Sequence, residues 1–130
     1  MRVVTFGTYE VFHVGHLNLI KRARALGNEL FVGVSSDKMN FNKKGRYPVY
    51  PEQERMEIIA NLRDVDGVFL EESMALKRQY LMERKADFLV MGDDWADKFD
   101  EFNDICRVIY LPRTAGISTT ETIQKIRRYE

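Results

Sequence analysis

Residues 2–16 read RVVTFGTYEVFHVGH, and this stretch decides how the first part of the chain folds. The apolar run 2–6 predicts a buried strand, and the amphipathic pattern over 15–26 predicts a helix. His13 and His16 therefore lie where a strand passes into a helix. The N-terminus of a helix presents backbone N–H groups and the positive end of the helix dipole, so this junction favours a bound phosphate.

The composition limits the other uses of these histidines. The chain holds two histidines and one cysteine, Cys106, so a zinc site built from histidine and cysteine is disfavoured. Lysine plus arginine and aspartate plus glutamate balance at 20 each, which gives no overall attraction for nucleic acid. We expect a single domain over 1–130, no membrane span, no internal disulfide and a cytoplasmic location.

A second anion-binding pattern lies near the other end of the chain. Ser118 and Glu121 have the spacing of a capping box, which predicts the start of a helix. The apolar face of this helix is predicted to hold Ile123, Ile126 and Tyr129. Arg113 and Gly116 lie just before the helix, so an arginine and a close backbone approach accompany this helix N-terminus. Two such patterns in one small chain predict a polyphosphate held between them.

Strand-like and helix-like runs alternate along the chain, which predicts one Rossmann-like α/β domain with helices on both faces of a parallel sheet. We expect five strands in the order 3-2-1-4-5, with ligands bound outside the carboxyl ends of the strands. The predicted strands are 2–6, 30–35, 66–70, 87–91 and 107–111. The predicted helices are 15–26, 51–62, 73–85 and 118–128, and the stretch 38–50 is expected to be an irregular basic loop.

These two stretches carry a resemblance to a known family. The motif at 13–16 together with the segment 113–120, Arg-Thr-Ala-Gly-Ile-Ser-Thr-Thr, resembles the HxGH nucleotidyltransferases and their cytidylyltransferase branch. Residues 91–95 and 110–114 extend the likeness over nearly the whole chain. The resemblance implies transfer of CMP from CTP to a small organic phosphate, with Mg²⁺ on the triphosphate and a homodimeric enzyme. It also implies that Arg63 lies near the active site and the dimer contact.

The patterns and the resemblance together give the candidate site. The catalytic set is His13, His16, Lys43, Lys44 and Arg113, and the resemblance implies one lysine at 43 or 44 without separating the two. The nucleotide-binding set is Thr8, Tyr9, Gly15, Arg63, Gly92, Asp94, Arg113, Thr114, Gly116, Ile117, Ser118, Thr119 and Thr120. The acceptor-binding set is Glu10, Lys43, Lys44, Arg55, Lys77, Asp93 and Trp95.

Several of these residues have a plainer interpretation. Arg55 and Arg63 are two helical turns apart and could belong to a solvated face, with Asp66 pairing with Arg63. Asp93 or Asp94 could cap a helix, and Lys77 could be an exposed helix charge.

Departures from the family pattern fall on the acceptor side. The family usually has Phe-Asp where this chain has Tyr9 and Glu10, and an aromatic residue where it has Val14 and Met74. Glycerol 3-phosphate is the first expected acceptor, and phosphocholine, phosphoethanolamine or an amino-acid-like phosphate are alternatives. A module that senses CTP without turnover is the non-enzyme alternative, although a pure binder has no need of transition-state groups such as His13 and His16.

Overall fold

Strand β1 (Arg2–Gly7) lies in the middle of the sheet in the computed structural model, which describes residues 1–129. Two consecutive residues of this strand, Val3 and Val4, point to opposite faces of the sheet and are both fully buried. A strand buried on both faces requires a layer of helices on each side of the sheet. The apolar sequence of β1 therefore reflects its central position.

The strands pair in parallel in the order β3-β2-β1-β4-β5, as the sequence predicts. The other strands are β2 (Glu29–Ser35), β3 (Gly67–Glu71), β4 (Phe88–Gly92) and β5 (Arg107–Leu111). The helices are α1 (Val14–Arg24), α2 (Asp37–Lys44), α3 (Glu52–Ala60), α4 (Lys77–Glu83) and α5 (Thr119–Arg127). Short 3₁₀ turns span Met74–Leu76, Asp93–Trp95 and Asp100–Asp104.

Two apolar clusters cover the two faces of the sheet. Ile20 and Ala23 of α1 and Ile59 of α3 pack with Val3 on one face. Leu81 of α4, together with Phe99 and Phe102, packs with Val4 on the other. Each fully buried aliphatic side chain contributes about 1.5–3 kcal/mol to the free energy of unfolding, so both layers hold the central strands in place.

Most predicted elements are confirmed to within a few residues, but the stretch 38–50 is not. Its first half is helix α2, so the prediction of an irregular loop is wrong there. The Ser36 hydroxyl accepts from the backbone N–H of Met39, and Gly45, at φ 74°, ends the helix in the left-handed region. Helix α2 buries little more than Asn40, so its sequence lacks the apolar period by which a helix is recognised.

Two packing predictions also need correction. Asp66 pairs with Arg24 (3.4 Å) and accepts from the backbone N–H of Leu30 (2.8 Å), so the expected pairing with Arg63 is wrong. Ile126 and Tyr129, which fit an apolar face of α5, are 60% and 84% exposed. No helix among residues 1–129 is long and apolar enough to cross a membrane.

Candidate active site

A cleft of about 430 Å³ opens at the carboxyl ends of β1, β4 and β5. Its walls begin at Gly7, Gly92 and Leu111, the last residues of these three strands. The order of the strands reverses between β1 and β4, and parallel α/β sheets bind ligands at such a reversal. The fold therefore places the two anion-binding patterns on opposite walls of one cleft.

The two histidines cap helix α1 with each other's help. Nδ1 of His13 accepts from the backbone N–H of Gly15 (3.0 Å), and Nδ1 of His16 accepts from the backbone N–H of His13 (3.2 Å). A neutral imidazole that accepts at Nδ1 carries its proton on Nε2. The cap thus fixes the tautomer of both rings, and both histidines line the cleft with an Nε2–H donor.

A contact across the cleft supports the same tautomer for His13. Its Nε2 lies 3.2 Å from Oγ1 of Thr119, and that hydroxyl donates its hydrogen to the carbonyl oxygen of Glu10 (3.2 Å). Because the hydroxyl has one hydrogen, it accepts from the imidazole. This bond also joins the α1 wall to the N-terminus of α5.

Burial keeps both imidazoles neutral. It lowers the pKa of His16 to about 4, with a smaller contribution from His13, whose ring stacks on it at 3.8 Å between centroids. The pKa of His13 is lowered by burial and then by the charge of Arg113. At neutral pH the rings are therefore uncharged donors whose hydrogen bonds strengthen as negative charge builds on a neighbouring oxygen.

Gly15 makes the paired cap possible. A Cβ at this position would lie 2.8 Å from Cε1 and 2.9 Å from Nδ1 of His13. Any other residue would push the imidazole away from the backbone N–H that it accepts from.

The opposite wall is the segment 113–120 with the start of α5. Gly116 takes a φ of 75°, where a side chain would be strained, and the Ser118 hydroxyl accepts from the backbone N–H of Glu121 (3.1 Å). The side-chain amide of Asn18 donates to the Thr114 hydroxyl (3.1 Å) and ties this segment to α1. The helix N-terminus and its hydroxyls thus line the cleft as a second anion site.

Basic side chains dominate the charge of the cleft. Lys44, Arg46, Arg113 and Arg127 line it, against the carboxylates of Glu10 and Asp94. Burial lowers the pKa of Lys44, and the neighbouring Lys43 lowers it further. The excess of positive charge suits a triphosphate.

A smaller cavity of about 280 Å³ adjoins the cleft and shares Thr8, Lys44, Asp94 and Trp95 with it. Lys43 and Lys77 line this second cavity. Nζ of Lys77 bonds Oε2 of Glu71 at 2.7 Å, and both side chains are almost fully buried, so Lys77 is not an exposed helix charge.

Arg55 lies behind the site. Its side chain is fully buried and donates to the carbonyl oxygens of Thr8 (3.0 Å), Ser35 (2.8 Å) and Tyr50 (2.9 Å), as well as to Asp37 (2.6 Å). These bonds join the loops that follow β1 and β2. Arg55 therefore stabilises the loops that form the site.

The structure gathers most of the candidate residues but not all of them. The cleft is lined by Thr8, Tyr9, Glu10, His13, Gly15, His16, Lys44, Gly92, Asp94, Trp95, Arg113, Thr114, Ile117, Ser118, Thr119 and Thr120. Arg55, Arg63, Asp93 and Gly116 line neither cavity. Arg63 is exposed after α3, Asp93 is exposed in the turn after β4, and Gly116 shapes its loop.

Sequence reasoning missed five polar residues of the two cavities, and the buried side chain of Asn40 is one of them. Gln124 and Arg127 follow Thr120 at spacings of four and three, so one face of α5 extends the wall, and this spacing is visible in the sequence. Arg46 and Glu71 carry no local signal beyond their charge.

Comparison with known proteins gives one family. A family model described as cytidylyltransferase-like matches residues 4–125. A glycerol-3-phosphate cytidylyltransferase of Bacillus subtilis (strain 168) is 43% identical over 96% of this chain and 96% of its own length. One of Staphylococcus aureus (strain NCTC 8325 / PS 47) is 40% identical over 96% and 94%.

A solved structure agrees with the fold. The lipopolysaccharide core biosynthesis protein from Thermoplasma volcanium GSS1 superposes with a TM-score of 0.79 at 26% identity, covering 88% of this chain and 98% of that one. The family match covers both histidines and the segment on the opposite wall. The chain therefore belongs to the cytidylyltransferase-like family and is a nucleotidyltransferase.

Proposed function

We propose that the chain transfers CMP from CTP to glycerol 3-phosphate and releases pyrophosphate. The observation that carries this proposal is the pair of neutral histidines, each with Nε2–H on the cleft, opposite the N-terminus of α5. The identity with two glycerol-3-phosphate cytidylyltransferases over nearly the whole chain supports the choice of substrates.

The reaction needs no covalent intermediate. A phosphate oxygen of the acceptor attacks the α-phosphorus of CTP in line. The bond from that phosphorus to the oxygen bridging the α- and β-phosphates breaks, and its electron pair leaves with pyrophosphate. An ionised phosphate needs no base to remove a proton, so catalysis consists of positioning and charge stabilisation. His13 and His16 donate to the phosphate oxygens that gain charge, and Arg113 and Lys44 neutralise them.

We propose that Mg²⁺ enters with the triphosphate. Within residues 1–129 no group of three metal-ligating side chains comes together, which disfavours a protein cage. Mg²⁺ is usually held by substrate phosphates, waters and one or two carboxylates, and Asp94 on the wall of the cleft can supply one. Such an ion would neutralise charge on the leaving pyrophosphate.

The test is pyrophosphate release with each of CTP, ATP, GTP and UTP at subsaturating concentration, in the presence of glycerol 3-phosphate. We expect the highest kcat/KM with CTP, and no release above background when the acceptor is omitted. A higher kcat/KM with ATP would contradict the nucleotide assignment. Binding of CTP without release for any acceptor would favour a sensing module.

We also propose that the enzyme is a homodimer that acts in the cytoplasm. Val14 on α1 and Ile58 on α3 are 49% and 38% exposed, although both helices cover the same face of the sheet. Apolar side chains on the outside of one helical layer suit a contact with a second copy. A reducing compartment is consistent with the unbonded thiol of Cys106.

A further inference from the structure

The smaller cavity beside the nucleotide cleft contains three aromatic rings. Phe6, Trp95 and Phe99 line it together with the aliphatic Met74 and Met91. Aromatic faces gathered in this way attract cations, and quaternary ammonium groups are bound in such cages. By shape alone the cavity would accept the head group of phosphocholine.

The ring faces are already covered by the protein's own cations. Nζ of Lys77 lies 3.7 Å from the ring centroid of Phe6 and 5.0 Å from that of Phe99. Nζ of Lys43 lies 4.3 Å from the ring centroid of Trp95. A cationic ligand would have to displace an ammonium group from the ring that it seeks.

Glu71 determines where one of these ammonium groups stays. Its carboxylate, at the end of β3, bonds Nζ of Lys77 at 2.7 Å, and the side chains are 3% and 2% exposed. Burial lowers the pKa of Lys77, whereas the charge and hydrogen bond of Glu71 raise it. Glu71 therefore opposes the loss of charge that burial favours at Lys77, and its hydrogen bond holds the ammonium group against Phe6.

The remaining charges make the cavity positive on balance. The charged residues that line it are three lysines, Lys43, Lys44 and Lys77, and two carboxylates, Glu71 and Asp94. Glu71 is committed to Lys77, and Asp94 is exposed at the border with the cleft. Lys43 and Lys44 are exposed as well and are screened to a similar extent, so three lysines against two carboxylates leave the lining with one net positive charge.

We propose that this cavity admits phosphomonoesters whose remainder is uncharged and hydroxylated, that it rejects those with a cationic remainder, and that Glu71 is the positioning residue for this choice. The proposal rests on the proposed cytidylyltransferase activity. Lys43 and Lys77 repel an ammonium group at short range, and they attract the acceptor's phosphate. The hydroxyl groups of a neutral remainder can donate to Asp94.

The first experiment measures pyrophosphate release at saturating CTP with glycerol 3-phosphate, phosphocholine and phosphoethanolamine. We expect kcat/KM for glycerol 3-phosphate to exceed both others by roughly 100-fold or more, since like charges brought close together repel each other strongly. Comparable values with phosphocholine would overturn the selectivity. No release with any of the three would instead overturn the proposed function.

The second experiment tests Glu71 through a pH profile. Glu71→Gln removes the group that raises the pKa of Lys77, so the KM for glycerol 3-phosphate should begin to rise at a lower pH than in the unsubstituted enzyme. The KM for CTP should not change. A profile that coincides with that of the unsubstituted enzyme would overturn the positioning role.

Loss of one partner of a buried pair can unfold a protein, so a double variant complements the single one. Glu71→Gln combined with Lys77→Met replaces the pair by neutral groups of similar size and uncovers Phe6. The preference for glycerol 3-phosphate over phosphocholine should fall by about tenfold or more, because the face of Phe6 becomes available to a cationic head group while the net charge of the lining stays the same. An unchanged preference would refute the proposal.

Arg78→Met is the matched control. Arg78 follows Lys77 on α4, pairs with Asp104 (2.9 Å) and lies over Phe102 (5.2 Å), but it is outside both cavities. This variant removes a similar set of contacts, and the acceptor preference and the pH profile should stay as they are. A shift as large as that of the Glu71 variants would show that the effect comes from α4 as a whole and would overturn the proposal.

Discussion

His13 and His16 each do two things with the two nitrogens of one ring. Nδ1 completes the cap of α1, and Nε2–H is on the side of the cleft, where that of His13 donates to Oγ1 of Thr119. The cap explains why the donors are held in place before the substrate arrives, which is what electrostatic catalysis requires. Each ring is therefore a structural and a chemical residue at once.

We expect His16→Ala to lower kcat by about 10²–10³-fold while the Kd for CTP changes little, because a donor to developing charge acts mainly in the transition state. Single-turnover rates and equilibrium binding of CTP measure the two quantities separately. Equal losses in both would show that His16 is only a ground-state ligand.

His16→Gln is the control for the cap. Glutamine at the third helical position can accept from the capping residue's N–H, so the melting temperature should recover relative to His16→Ala. Turnover should not recover, because the amide does not place a donor where Nε2 was. Recovery of turnover together with stability would mean that His16 acts through the fold of the loop.

The low pKa of His16 also predicts a pH effect on stability. The unfolded chain binds a proton near pH 6.5, whereas the folded chain does so only near pH 4. The unfolded state therefore holds more protons between these values, and the free energy of unfolding falls as the pH is lowered through this window. We expect a loss on the order of 2 kcal/mol, after allowance for the partial exposure of the ring.

Urea unfolding between pH 4 and pH 7.5 measures this loss, with His16→Gln as the reference that lacks the titrating ring. On acidification, the free energy of unfolding should fall further in the unsubstituted protein than in the variant. Above pH 6.5 the two proteins should show the same dependence on pH. Parallel curves would mean that His16 titrates normally in the folded chain.

At the scale of elements, the β1–α1 junction is held by a close contact at Gly15. We expect Gly15→Ala to displace the His13 ring, since the new Cβ would lie 2.8 Å from Cε1. A misplacement of about 1 Å in a catalytic group can cost roughly 100-fold in rate, so kcat should fall by about that factor. Steady-state kinetics at saturating CTP and acceptor measure it.

Gly45→Ala is a control of the opposite kind. Gly45 ends α2 at φ 74° with nothing within 4 Å of a Cβ, so alanine there is strained but touches nothing. It should lower the free energy of unfolding by about 1 kcal/mol with kcat retained. If Gly15→Ala loses stability and keeps kcat as Gly45→Ala does, the His13 contact is not what limits the rate.

The elements found from the sequence are those whose pattern carries the signal. The strands are apolar because both faces are covered, and α1 has an amphipathic period, so their places could be predicted from the sequence. The order 3-2-1-4-5 is the one expected from the Rossmann-like fold class, and it is the order observed. Helix α2 could not, because it buries only Asn40 and its period is hidden among polar residues. The capped start of α5 was visible at Ser118, but its exposed Ile126 and Tyr129 were not.

The same distinction holds for the site. His13, His16 and the segment 113–120 stand in short local patterns, and the sheet topology brings them to one cleft. Arg55 depends on partners 20 and 47 residues away, and Glu71 pairs with Lys77, which is only six residues on but lies on the next helix, so neither pairing has a pattern that can be recognised in the sequence.

At the scale of the whole molecule, the sheet brings together residues that are far apart in the sequence. Thr119 and His13 are 106 residues apart and meet at 3.2 Å because β1 and β5 end at the same edge. Arg55 connects the loops after β1 and β2 in the same way from the other side. One sheet thus holds both walls of the cleft, and the loops behind them, in fixed positions.

The quaternary structure is the last prediction at this scale. Arg63 lines neither cavity of its own chain, whereas the family resemblance places it near the active site and the dimer contact. Both statements agree if Arg63 acts at a contact between two copies.

Light scattering at micromolar concentration should then return about twice the chain mass of 15.3 kDa, and a stable contact should bury over roughly 1,000 Å². Arg63→Ala should lower the measured mass and kcat together as the protein is diluted. A monodisperse monomer with full activity would exclude the dimer as a requirement and leave Arg63 without a catalytic part.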